Sequence, residues 1–462
     1  MNAQSTLFMS AAAAVNPGSR LKLADLMASL SYALDITEGQ PEGHCVRCCW
    51  IGINIARELG VSQRDQWDLY YTLLLKDLGC SSNAARICEL YLTDDLGFKQ
   101  SFKLVGTGLP QILGFVFSHT GRNARWSSRL QAIMNVLKNG GDMAQELIQT
   151  RCDRGAEIAR RLRFNEAVAG GIRALDEHWD GSGRPDRLAG EAIPLASRIA
   201  LLAQVIDVFH FSGGRGAALN EVRARAGKWF DPELCRAFES VAQESMFWQM
   251  LESDQIAKAV LTLEPAQFAV PVDEDYLDDI AEAFGEVVDS KSPFTAGHSQ
   301  RVGLYTDAIA AALEIPEARR RWLRRAALLH DVGKLGVSNS ILDKPGKLDD
   351  EEWEAIKMHA SYTEAILSRI GSFRELARMA AAHHERLDGT GYPRGLKADA
   401  ISLETRIVTT ADIFDAISAE RPYHPATSID ETLAIMKKSV GTAIDPRCFD
   451  ALCRVAEVAV PA

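Results

Sequence analysis

Three strings recur in this chain in the same order, and that repetition constrains the fold more than any other feature. Gly43-His44-Cys45-Val46-Arg47 returns as Gly297-His298-Ser299-Gln300-Arg301. Asp77 stands 33 residues after His44, and Asp331 stands 33 after His298. Asp180-Gly181-Ser182-Gly183-Arg184-Pro185 returns as Asp388-Gly389-Thr390-Gly391-Tyr392-Pro393, and each is followed by Ile-x-Leu-x-x-Arg-Ile at an offset of 208. A tandem duplication with divergence explains such ordered repeats, so the fold that the pattern predicts must be built twice.

The repeated pattern is helical. Leu23, Leu26, Met27, Leu30 and Leu34 follow i, i+3, i+4, i+7 spacing, as do Ile280, Ala283, Phe284, Val287 and Val288. Alternating apolar and β-branched runs are scarce, which predicts an all-α fold of tandem helical domains. Asn16-Pro17-Gly18-Ser19 breaks the chain before the first helix and leaves residues 1–20 as a tail. Pro265 and Pro271 interrupt helix between about Glu264 and Asp275, where Asp273-Glu274-Asp275 suits a new helix start. The expected division is a first domain over 21–262, a linker over 263–275 and a second domain over 276–462. Lys76 to Cys152 spans 76 positions where His330 to His359 spans 29, so the first copy carries an insertion of about 47 residues, roughly Ile87 to Asp142. Its aromatics Phe98, Phe102, Phe115, Phe117 and Trp126 read as core or inter-lobe packing.

Composition limits the partners. Lys and Arg number 51 against 62 Asp and Glu, and the net charge of −11 argues against wrapping DNA or RNA, which needs clustered positive charge. A small anion needs only a local basic pocket. Met9 to Val15 is far short of the ~20 apolar residues of a bilayer span, and no Lys or Arg precedes it. Neither a membrane partner nor a secretory leader is expected. Nine cysteines, an odd number in a long chain, fit a reducing cytoplasm. Cys45 and Cys48 form one C-x-x-C with no second pair at zinc-ribbon spacing, so with Cys49 they read as a buried helix face.

The chemistry concentrates in the second half. Six of the ten histidines lie between residues 298 and 424. His298, His330, His359, His383 and His384 stand in strings with Asp331 and Asp412, more ligands than one four-coordinate zinc uses. Two metals sharing a bridging carboxylate fit that inventory, and mixed nitrogen and oxygen ligation leans towards iron or manganese, with zinc or nickel as alternatives. In His330-Asp331-Val332-Gly333-Lys334, a continuing helix would return the Lys334 ammonium to the ligand face, where it can neutralise a phosphate oxygen. The cluster Arg319, Arg320, Arg321, Arg324 and Arg325 reads as a solvated helix face.

HDVGK at 330–334, HHERLDGTGYP at 383–393 and TADIFDAISAERPY at 410–423 resemble the HD-GYP subgroup of HD-superfamily phosphohydrolases, which linearise cyclic dinucleotides. The resemblance covers about residues 276–462. It implies a helical fold and a di-metal centre, one metal held by His298, His330, Asp331 and Asp412, the other by His359, His383 and His384, with Asp331 as bridge. It also implies that water activated there attacks phosphorus in line. Asp331 and Lys334 are then the catalytic candidates. Lys334 and Arg421 would hold phosphate, Gly391 would let the loop turn, and Tyr392 would offer a face to a base. Phe294 stands where some members have a Glu for a third metal, so two metals are expected. His424 replaces a basic residue that many members carry. The substrate expected first is cyclic di-GMP, cleaved to the linear dinucleotide with GMP as a further product. The alternatives are 3′3′-cyclic GMP-AMP as substrate, or a non-catalytic signalling scaffold or cyclic-dinucleotide receptor. A GGDEF-type protein is an expected partner.

The first copy keeps His44 and Asp77 but has lost the rest. Lys76 stands for His330, Cys80 for Lys334, Cys152 for His359, Leu175 and Asp176 for His383 and His384, Gln204 for Asp412, and Arg184 for the loop tyrosine. Too few ligands survive for a di-metal centre. This half is expected to sense a ligand or press on its neighbour, to dimerise with a second chain, or to cover apolar surface.

Overall fold

The structure, a computed structural model, describes residues 21–105, 109–122, 124–419 and 426–458. Residues 1–20, expected to form the tail, lie outside that set. Among the described residues the regular elements are helices and no strand forms, as the periodicity predicts. The first copy runs through α1 (Leu23–Thr37), α2 (His44–Glu58) and α3 (Gln63–Leu75) into the inserted α4 (Ala84–Tyr91), α5 (Asp95–Phe102) and α6 (Leu109–His119). It closes with the long α7 (Trp126–Arg161), α8 (Glu166–Arg173), α9 (Leu195–Arg225), α10 (Pro232–Val241), α11 (Ser245–Leu251) and α12 (Ile256–Leu261). The second copy comprises α13 (Glu274–Asp289), α14 (His298–Ala312), α15 (Glu317–Leu329), α16 (Asn339–Leu342), α17 (Asp350–Leu367), α18 (Arg374–Ala380), α19 (Leu403–Ser418), α20 (Ile429–Lys437) and α21 (Pro446–Val458).

Local chemistry starts equivalent helices at equivalent places. Gly43 and Gly297 precede α2 and α14 with φ of 83° and 69°, a left-handed turn that glycine adopts without a Cβ clash. Asp35 and Asp289, at the ends of α1 and α13, accept hydrogen bonds from the freed N–H groups of Cys45 at 2.9 Å and Ser299 at 3.1 Å. The repeated histidines are therefore held at helix starts by backbone and side chain together. Asp273 caps α13 by accepting from the Tyr276 N–H at 2.7 Å, as the acidic run predicts.

The copies meet about an approximate twofold relation. α1 packs on the 3-10 turn Val332–Gly336 and on α17, while α13 packs on the equivalent turn Cys80–Asn83 and on α7. Arg161 pairs with Glu286 on one side. At the equivalent place on the other, the Arg369 guanidinium lies 3.7 Å from the Tyr32 ring centroid. Leu23, Leu26, Met27, Leu30 and Leu34 are at most 1% exposed, each side chain stabilising by about 1.5–3 kcal/mol. They belong to a core that continues through Phe284 and Leu329 to Ile407, so apolar residues of both copies form one cluster.

Two sequence expectations meet corrections. The insertion does not pack all its aromatics: Phe98 and Phe115 are buried together in one small cluster with Ile87, but Phe102, Phe117 and Trp126 are 52%, 49% and 74% exposed. Three short helices and half of α7 cannot cover both of their own faces. The insertion is also 46 residues rather than 47, because equivalent positions lie 254 apart up to Gly79 and 208 apart from Arg151 onwards. The backbone shows why. A Cβ on Gly79 would meet the Arg151 carbonyl oxygen at 1.9 Å, and one on Gly333 would meet that of His359 at 1.9 Å. Arg151, not Cys152, is the counterpart of His359. Cys45, Cys48 and Cys49 are fully buried, and burial pushes their thiols up, which fits the helix-face reading. α9 is the one described helix long and apolar enough to cross a membrane, and 61% of its apolar window is buried in the core.

Candidate metal centre

The five histidines and two aspartates arrive from separate helices and converge. His298 opens α14, His330-Asp331 ends α15, His359 lies on α17, His383-His384 follows α18, and Asp412 lies on α19. On one side, His298 Nε2 lies 3.5 Å from Asp331 Oδ2 and 3.3 Å from Asp412 Oδ1, and His330 Nε2 lies 3.2 Å and 3.8 Å from the same atoms. On the other, His359 Nε2 and His383 Nε2 lie 3.5 Å and 3.6 Å from Asp331 Oδ1. His359, His383 and His384 bring one ring nitrogen each within 4.8 Å of one another. Asp331 thus presents one oxygen to each group.

The far side of four of these rings is fixed. Nδ1 of His330, His359 and His383 donates to the carbonyls of Ala327, Ile356 and Ala380, each at 2.6 Å, and His298 Nδ1 meets Asp415 at 2.7 Å. Spending Nδ1 this way aims Nε2 at the centre. Asp415 was not singled out from the sequence. It is itself held by Arg301 Nε at 2.6 Å, and Asp207 at the 208 offset was the available signal. Glu385 was missed as well, although its oxygens accept the N–H groups of Arg394 and Leu396, both at 2.7 Å, and pin the loop carrying Tyr392.

The electrostatics fit a divalent cation. His330 Nε2 and Asp331 Oδ1 are buried with no hydrogen-bond partner, a costly condition unless something else occupies them. Burial disfavours a charged imidazole, yet hydrogen bonds to Asp331, Asp412 and Asp415 raise His298 well above its ordinary pKa. The Asp331 charge similarly overcomes burial and lifts His330 to about 9. Burial would raise Asp331, but His330 and Lys334 hold it well below the usual carboxylate range. A cluster this negative collects positive charge, and a metal would supply it with the imidazoles neutral. On the second side burial dominates and pushes His359 to about 4 and His384 to about 3, leaving neutral donors. The mixed nitrogen and oxygen donors fit two divalent ions.

The other predicted residues divide. Lys334 returns its ammonium to 2.5 Å from Asp331 Oδ2 through the 3-10 turn, not a continued helix. Tyr392 lies 4.7 Å from the His384 ring and 6.3 Å from Trp353, which is 48% exposed and adds an aromatic edge unforeseen from sequence. Gly391 is required sterically, since a Cβ would fall 2.4 Å from the Arg386 nitrogen. Arg421 and His424 lie outside the described residues. The five arginines of α15 all pair with carboxylates, Arg319 with Glu404 and Arg325 with Asp278 among them, so they are not a funnel for anions.

The same place in the first copy holds fixed cations. Lys76 Nζ lies 3.1 Å from His44 Nε2, donates to Gln204 Oε1 at 2.9 Å and pairs with Asp77 Oδ2. These atoms are the counterparts of His298 Nε2, Asp412 and Asp331. Arg151 pairs with Asp176, the counterpart of His384. Burial and the Lys76 charge together push His44 down to about 4.

Comparison with known proteins places these features. The HD domain family profile matches residues 131–234 and 282–448. The 3′3′-cGAMP-specific phosphodiesterase 3 of Vibrio cholerae serotype O1 is 60% identical over 430 residues, 93% of this chain and 94% of that protein. The 3′3′-cGAMP-specific phosphodiesterase 1 of the same organism is 31% identical, over 68% of this chain and 75% of its own length. The cyclic di-GMP phosphodiesterase response regulator RpfG of Xanthomonas campestris is 36% identical over 44% of this chain and 54% of its own. Among solved structures, the V. cholerae cyclic GMP-AMP-specific phosphodiesterase V-cGAP3 superposes with a TM-score of 0.66 at 52% identity, covering 96% of this chain and 99% of that one.

Proposed function

The chain belongs to the HD-domain family, in its HD-GYP branch, and from that premise we propose that it is a metal-dependent phosphodiesterase acting on 3′3′-cGAMP. The observation that carries the reading is the convergence of five imidazoles and Asp412 around Asp331, with Lys334 beside them. For the substrate, the sequence pattern put cyclic di-GMP first. The relatives that cover 93% and 68% of this chain are named for 3′3′-cGAMP, whereas RpfG covers 44%, and this supports the alternative.

In this reading His298, His330, Asp331 and Asp412 would hold one ion and His359, His383 and His384 the other, Asp331 presenting one oxygen to each group. Bound metals supply Lewis acidity and a water nucleophile at neutral pH. Iron or manganese suits the donors. The reaction adds water across one phosphodiester bond: oxygen joins phosphorus, the bond to the 3′ oxygen breaks, and that oxygen takes the proton. Lys334, 23% exposed at the rim, pairs with the phosphate as charge develops. Tyr392 and Trp353 form the wall against which a purine stacks.

The test is to load the full chain anaerobically with iron or manganese and offer 3′3′-cGAMP and cyclic di-GMP in parallel. We expect kcat/KM to favour 3′3′-cGAMP by roughly tenfold or more, a difference of about 1.4 kcal/mol. Equal or reversed preference overturns the substrate assignment. No turnover of either overturns the enzyme.

A further inference from the structure

The insertion of the first copy is chemically unlike the rest of the protein. From Leu96 to Gly141, 46 residues, there is no Asp or Glu, while Lys99, Lys103, Arg122, Arg125, Arg129 and Lys138 place six positive charges in a chain of net −11. Lys99 and Lys103 turn inward to Glu38, at 3.4 Å and 2.8 Å. Arg122, Arg125 and Lys138 are exposed.

Between these charges lies an uncovered apolar face. Trp126, Leu130, Met134 and Leu137 follow i, i+4, i+8, i+11 on α7 and are 74%, 48%, 58% and 46% exposed. The adjacent face already serves the interior: Ile133 and Val136 are buried, Val136 in a cluster with Leu90 and Val116. The exposed stripe is thus a second apolar face, beyond what holds the helix to the protein. Arg129 Nη2 donates to the Phe117 carbonyl at 2.9 Å, which sets the end of α6, with Phe117 itself 49% exposed, against the first turns of α7. The second copy has nothing comparable, since α17 begins at Asp350, the equivalent of Asp142.

We propose that this face docks onto an anionic phospholipid surface. Trp126, Leu130, Met134 and Leu137 enter the headgroup boundary while Arg122, Arg125 and Lys138 meet the phosphates. Charge decides between occupants. A second copy laid on this face about a twofold axis would set acid-free, basic segments against each other, which like-charge repulsion opposes. An anionic bilayer complements both the charge and the apolar stripe. The sequence expectation of no membrane partner rested on the search for spans, and the 16 residues of α7 before Asp142 are too short to span yet long enough to lie in an interface.

The experiment sediments the full chain with vesicles of phosphatidylglycerol and of phosphatidylcholine, alone and with Trp126→Ser/Leu130→Ser/Met134→Ser or Arg125→Glu/Lys138→Glu. We expect binding to the anionic vesicles only, weakened by salt and reduced at least tenfold by either variant, with an unchanged thermal melting curve. No binding to phosphatidylglycerol at low salt overturns the proposal. So does binding that both variants keep, or a chain that light scattering shows to be a dimer separated into monomers by the serine variant, which would assign the face to a second copy.

Discussion

His44 and His298 start equivalent helices, and each sets Nδ1 against an aspartate, Asp207 at 2.6 Å and Asp415 at 2.7 Å. Both aspartates are also held by an arginine, Arg47 and Arg301. Yet burial and Lys76 push His44 down to about 4, whereas the carboxylates around His298 overcome burial and raise it well above its ordinary value. The frame is the same, and the sign of the charge at its centre decides the difference. In the first copy an ammonium and a guanidinium belong to the chain. In the second, the chain's cation is Lys334, which reaches Asp331 from the rim and leaves His330 Nε2 and Asp331 Oδ1 without a hydrogen-bond partner. In the first copy lysine and arginine stand where the second gathers imidazoles, because the carboxylates beside them need a counter-charge.

That contrast can be broken most sharply at the equivalent aspartates. Asp331→Ala is expected to cut kcat/KM by roughly a thousandfold or more, since in the proposed reading both ions would share it. Asp77→Asn should leave kcat within about a few-fold, but it strips Lys76 of its buried partner and should cost about 3–5 kcal/mol of stability in chemical denaturation. A thousandfold kinetic loss in a folded Asp77→Asn chain would show that the first copy takes part in chemistry. The converse change rebuilds a site: Lys76→His with Gln204→Asp restores, around His44 and Asp77, the ligand pattern that His298, His330, Asp331 and Asp412 make in the second copy. Elemental analysis should then find about one more divalent ion per folded chain. An unchanged metal content with an intact melting curve would break the equivalence.

Smaller effects sharpen it. Asp415→Ala frees the His298 ring and should lower metal affinity about 10- to 100-fold, measured by titration, whereas Asp207→Ala should leave metal content unchanged. Trp353→Ala should raise KM about 5- to 10-fold with little change in kcat, and Trp353→Phe should recover most of it, consistent with stacking worth about 1–1.5 kcal/mol. A fall in kcat with KM constant would place Trp353 elsewhere in the mechanism.

Much of this was legible in the strings themselves. Ligand identity is a matter of residue type, and spacing within HDVGK and HHERLDGTGYP survives any packing, so the seven ligand candidates converge as expected. The failures came where a local string carries too little information. Cys152 and Arg151 are neighbours, and without the close approach of Gly79 to the Arg151 carbonyl, a one-residue slip looks harmless. Asp415 acts through a ring nitrogen 117 residues away and Glu385 through backbone N–H groups of its own loop, so residue type alone gave no reason to prefer them over other acids.

Periodicity and residue chemistry are local properties, so the strings themselves establish that the chain is helical, that it is built twice, and that the second copy alone keeps all seven ligand candidates. The tertiary structure alone decided that the first copy keeps the pocket by filling it with Lys76 and Arg151, that the two copies share one core about a twofold relation, and that the insertion leaves an apolar face uncovered. Those are outcomes of which distant groups meet, and charge balance and burial are settled only once they do.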